Sequence, residues 1–148
     1  MSEFDETARR LRQAPGLETG GGATETEIRE AEALIGAFPS DYRDFLREFG
    51  WAMFYGSVIT GLGDAPYRWL NVVTVTLSER AEGGLSEVMA TFYNDGGGNL
   101  FCFYTGPHAD DEPTVYCLEH EQRQLVLEHA SFTEFLEERI QRATESSA

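Results

Sequence analysis

The sequence predicts an α+β fold: a mostly antiparallel mixed β-sheet covered by helices. Three observations support this. Apolar stripes at helical spacing occupy both ends of the chain, strand-like aromatic runs cluster in its middle, and no regular β–α alternation joins them. At 148 residues the chain suits one domain that buries about 68–70% of its unfolded surface.

The elements follow in order. Residues 2–13 read as an amphipathic helix, with Phe4, Ala8 and Leu11 on one face. Proline and a triple glycine in residues 14–23 break it, so residues 1–23 are expected to form a helix and a flexible, loosely docked linker. Thr24 and Glu27 make a capping box, Ile28, Ala31 and Ile35 a buried stripe, and Gly36 a stop, which predicts a second helix. In residues 38–50, Ser40 is placed to cap a third helix and Asp41 to complement its dipole. Tyr42, Phe45, Leu46 and Phe49 form its apolar stripe, and Gly50 suits a left-handed end. Residues 51–62 turn β-like, punctuated by Gly56 and Gly61.

Residues 67–81 are ambiguous. Asp64-Ala65-Pro66 offers a helix start, and Leu70, Val73 and Leu77 fit a helical stripe, yet the run from Val72 to Thr76 has strand propensity. Residues 87–93 and 99–105 flank Asn94-Asp95-Gly96-Gly97-Gly98, a hairpin signal. A polar loop at 106–113 leads to two further strands at 114–118 and 124–127. A closing helix at 131–142 has Ser131 and Glu134 as a capping box and Phe132, Phe135, Leu136 and Ile140 as its stripe. This organises the chain as residues 1–23, a single domain at 24–142, and a frayed tail at 143–148.

Candidate chemistry is sparse. The glycine run at 96–98 leads into a strand, without the Lys-Ser/Thr that a phosphate loop places before a helix. His108 to Glu112 offers oxygen ligands but not the alternating spacing of a calcium loop. His120 and His129 lack zinc-ligand spacing. Cys102 and Cys117 sit in strands outside any nucleophile motif, and Ser57 lacks the GxSxG elbow. No catalytic residue, metal or cofactor is expected, and the chain reads as non-enzymatic.

Charge is more informative. The 26 acidic residues outweigh 11 basic ones, all arginine, for a formal net charge of -15. Such a surface disfavours nucleic acid and anionic membranes and favours basic proteins. Between Pro107 and Glu138, nine acidic side chains face the single Arg123, which concentrates the excess in one part of the chain. The acidic start, Met1 to Glu6, lacks a signal-peptide pattern, and no apolar run approaches a membrane span, so a cytoplasmic location with reduced cysteines is expected.

Several of these segments together resemble the SUKH superfamily of Smi/Knr-type domains. They are residues 24–36 (TETEIREAEALIG), 38–50, Ile59-Thr60-Gly61-Leu62, 92–104 (FYNDGGGNLFCFY), Val115-Tyr116 leading to Glu119-His120-Glu121, and 131–136. Phe38, in place of an aliphatic residue, and Trp51, in place of a second glycine, depart from that pattern. The resemblance implies a helix at 67–81. It also implies that many bacterial relatives are immunity proteins, which bind and neutralise a cognate polymorphic toxin, often a nuclease. The expected partner is therefore a basic toxin domain. The expected contacts are Asp110, Asp111, Glu112, Tyr116, Glu119 and Glu121, with Trp51 and Phe54 beside them. The alternative is a regulatory scaffold, like fungal relatives in cell-wall signalling, binding cellular proteins or peptides at a groove beside Trp51, Phe54 and Trp69.

Overall fold

The computed structural model describes residues 3–108 and 115–147. Among the described residues there are five α-helices: α1 (Glu3–Leu11), α2 (Glu25–Ile35), α3 (Ser40–Glu48), α4 (Val72–Glu82) and α5 (Phe132–Ser147). The strands are β1 (Glu18–Thr19), β2 (Ala52–Phe54), β3 (Ser57–Ile59), β4 (Met89–Asn94), β5 (Leu100–Tyr104), β6 (Val115–Leu118) and β7 (Leu125–His129). The α+β class and antiparallel pairing hold, but the strands divide into two sheets, β1-β2-β3 and β4-β5-β6-β7. Among the described residues the parallel pairing is confined to an isolated bridge between Gly61 and Asn71.

α3 is the hub. Tyr42 is fully buried, with ring centroids 4.9 Å from Phe103 and 5.0 Å from Phe132. Its hydroxyl donates to the Thr60 carbonyl (2.7 Å), and Thr60 N donates to Phe92 O (3.0 Å), which stitches the two sheets together. The turn after α3 depends on two glycines. Gly50 has a φ of 76°, as its position required, and a Cβ on Gly61 would lie 1.6 Å from the Gly50 carbonyl oxygen.

One capping expectation is corrected. Helix α3 starts at Ser40 itself, with Pro39 in the cap position. Asp41 serves another helix: its Oδ2 accepts from Thr133 N and Thr133 Oγ1, both at 2.8 Å, while Ser131 Oγ accepts from Glu134 N. Two orphan amides of α5 are thus satisfied, one from its own cap and one from α3. Thr24 and Glu27 form the expected capping box on α2.

Residues 67–81 contain the helix that the resemblance implied, with a different start and phase. A 3-10 turn spans Arg68–Leu70, and Asn71 caps α4 by accepting from Val73 N and Thr74 N. The late start separates Leu70 from the helix and buries Val72 and Thr76, leaving Leu77 44% exposed. Thr76 is buried for a polar reason: its hydroxyl accepts from Thr91 N (3.1 Å) on the free edge of β4, occupying the place of a neighbouring strand. Arg80 extends this seam by donating to Met89 O and Ile35 O, and burial lowers its pKa.

Both chain ends join the core. Helix α1 buries Phe4, Ala8 and Leu11, Thr7 Oγ1 donates to Glu137 (2.8 Å), and β1 pairs with β2 through Glu18–Met53 and Thr19–Ala52. Ala14 and Ala23, in the stretch expected to be a linker, are buried as well. Helix α5 continues past the expected end at Arg142 and buries Ala143.

Candidate functional site

The end of the four-stranded sheet is built from two hairpin tips. In the β4–β5 tip, Asp95 Oδ1 accepts from Gly97 N (2.8 Å) and Asn99 N (3.2 Å), and Asn94 Oδ1 accepts from Gly96 N (2.9 Å). These side chains fold the glycine-rich turn locally, as short Asn and Asp residues do. In the β6–β7 tip, Glu119 N donates to Gln124 O (2.9 Å). The tips are joined where His120 N donates to Asn99 Oδ1 (2.8 Å). Gly98, with a φ of 94°, lets them close, since a Cβ there would meet the His120 ring at 3.1 Å.

A concavity of about 370 Å³ opens between the tips, bordered by Asp95, Glu119, Glu121 and Glu128, with Cys117 and Phe101 in its wall. Among the described residues, none of these four carboxylates belongs to an ion pair. Arg123, the nearest arginine in sequence, donates instead to the Gly83 carbonyl at the C-terminus of α4, where a cation complements the helix dipole. Burial opposes ionisation of Asp95, but hydrogen bonds from Gly97 and Asn99, with a smaller contribution from the charge of Arg139, outweigh it and hold its pKa below the usual value. The concavity is therefore bordered by four carboxylates that lack ion-pair partners among the described residues.

The predicted contacts separate. Glu119 and Glu121 border the concavity. Tyr116 is half-buried on the other sheet face, its ring 5.3 Å from Tyr104. Trp51 and Phe54 are buried, at 6% and 4% exposure, which corrects their expected place beside a partner. Asp110, Asp111 and Glu112 lie outside the described residues. Of the three side chains expected beside a groove, Trp51 and Phe54 are buried and Trp69 is not. Trp69 is exposed, stacks on Tyr67 at 4.9 Å, and lines a separate concavity of about 710 Å³ with α4 residues.

Sequence reading missed Asp95 and Glu128 as site residues. Asp95 was legible only as a turn former, and nothing in a linear sequence shows that the two tips meet. The exposed Leu125 and Leu127 also escaped notice, because their run reads as an ordinary strand.

Burial, followed by the charge of Cys117, pushes the Cys102 thiol up to about 12; burial, followed by Glu128, Asp95 and Glu119, pushes Cys117 up to about 11. Neither supplies a thiolate near neutral pH. Among the described residues no group of three His, Cys, Asp or Glu side chains is placed to hold a metal ion, and no helix is long and apolar enough to cross a membrane.

Comparison with known proteins agrees with the fold. The family model for the SMI1 / KNR4 family (SUKH-1) matches residues 22–138. No curated protein matches the chain. The chain belongs to the SMI1 / KNR4 family (SUKH-1), which is generally a non-catalytic binding module.

Proposed function

We propose that this SUKH-1 domain is an immunity protein, a cytoplasmic binding module that captures and neutralises a basic polymorphic toxin domain. The observation that carries the reading is the concavity between the hairpin tips, where Asp95, Glu119, Glu121 and Glu128 converge without ion-pair partners among the described residues. Arginine and lysine side chains of a partner gain there what the chain itself does not provide, and the net charge of -15 steers such a partner from a distance. A nuclease toxin suits this field because its substrate-binding surface is itself basic. Asp110, Asp111 and Glu112 belong to the same reading as further acidic contacts.

The test is rescue. Where a neighbouring reading frame encodes a toxin domain, cells producing this chain should survive its expression. The double variant Glu119→Arg/Glu121→Arg should lose that protection while remaining folded. Protection undiminished by the double variant, and insensitive to salt in the purified complex, would overturn the electrostatic reading.

A further inference from the structure

The four-stranded sheet ends at β7, and among the described residues no further strand pairs with it. The bond from Glu119 N to Gln124 O makes these residues a hydrogen-bonded pair. Alternation along an antiparallel ladder then turns the amide and carbonyl groups of Leu125 and Leu127 away from β6, along an open edge. Their side chains share a sheet face with their cross-strand partners, Leu118 and Tyr116, and are 38% and 52% exposed.

Open edges in natural proteins are blunted by lysine, proline or bulges. Along β7, LVLEH, the charge and the bulge come together at Glu128, beyond Leu127, so that Leu125–Leu127 is left without proline, charge or bulge. The surroundings select the occupant. Glu121 and Glu128 line the acidic concavity on one side of the edge, while Tyr116 and Leu127 present apolar surface on the other. A second copy of this chain would bring two such acidic edges together, each on a protein of net charge -15.

We propose that the β7 edge receives an extended segment of the basic partner as a fifth strand. Its side chains alternate between apolar residues over Leu125, Leu127 and Tyr116 and basic residues toward Glu121 and Glu128. The inference rests on the proposed basic partner and adds the way it is held: main-chain bonds supply affinity and alternate side chains supply selectivity.

The test uses the isotope-labelled full chain and a short peptide alternating arginine and valine. Its controls are the same peptide N-methylated on alternate backbone amides and a glutamate–valine counterpart. Binding of the arginine peptide should slow amide exchange at Leu125 and Leu127 by about tenfold, and N-methylation should remove both that protection and most of the affinity. Leu127→Pro, which deletes one outward amide, should weaken the peptide by about tenfold. If that variant misfolds, the N-methylated peptide still decides. Binding without protection of these two amides would overturn strand addition while leaving the acidic concavity as the docking site. Equal binding of the glutamate peptide would instead sink the basic-partner reading. Concentration-dependent protection without peptide would assign the edge to a second copy and overturn the proposal.

Discussion

The helical side and the hairpin end of this domain use the same residue type in opposite ways. On the helical side carboxylates are engaged: Arg10 with Glu137, Arg12 with Glu48, Arg43 with Glu32, and Arg47 with both Glu25 and Asp44. Most of these pairs keep at least one partner exposed and each stabilises little, yet they cancel charge locally. At the hairpin end Asp95, Glu119, Glu121 and Glu128 converge without ion-pair partners among the described residues: Arg123 donates to Gly83 O, and Arg139, which donates to the Tyr93 hydroxyl, reaches Asp95 only through its field. An acidic composition alone does not mark a binding surface. The distribution of arginine decides which acids remain available.

The sharpest test of this division lies beneath α3. Tyr42→Ala empties the centre of the aromatic core and should cost about 3–5 kcal/mol in urea unfolding. A loss well below that would show that the helical side does not anchor the fold.

The hairpin end should behave in the opposite way. Glu119→Arg/Glu121→Arg should leave stability nearly unchanged, within about 0.5 kcal/mol, because the half-buried Glu119 and the exposed Glu121 make no side-chain hydrogen bond or ion pair among the described residues. Association with a basic partner should slow by roughly tenfold at low salt and recover as salt rises. Strong destabilisation would instead make these carboxylates structural and erase the contrast.

Asp41 tests whether an acid on the helical side is structural. Asp41→Ala removes the acceptor for Thr133 N and Oγ1 and should cost about 1 kcal/mol, with no change in partner affinity.

A smaller effect belongs to Glu138. A hydrogen bond from His129 lowers its pKa, against the opposing effect of burial. A depressed carboxylate pKa adds stability that is present above the usual value of 4.5 and is lost as pH falls through the lower folded value. Glu138→Gln should therefore flatten the acid limb of the unfolding midpoint plotted against pH. An unchanged slope would remove the His129–Glu138 hydrogen bond from the stability of the fold.

The smallest signal is chemical. With both thiol pKa values raised by burial, Cys102 and Cys117 should resist alkylation near neutral pH until the chain unfolds, as mass spectrometry of the native protein would read.

Sequence by itself determined the parts of this protein governed by local rules. The capping box at Thr24 and Glu27, the stripe Tyr42–Phe45–Leu46, the turn at Gly50 and the glycine hairpin after Asn94 follow from spacing and backbone preference, and together they identify the family. Tertiary structure decided whatever depends on which segments meet. It lent Asp41 to the start of α5, buried Thr76 against Thr91, and sent Trp51 and Phe54 inward. It also brought Asp95 beside Glu119 and Glu121 from the far side of two turns. A side chain's propensity is set by its neighbours in sequence, whereas its partners and its field are set by neighbours in space, and the binding surface consists of the second kind.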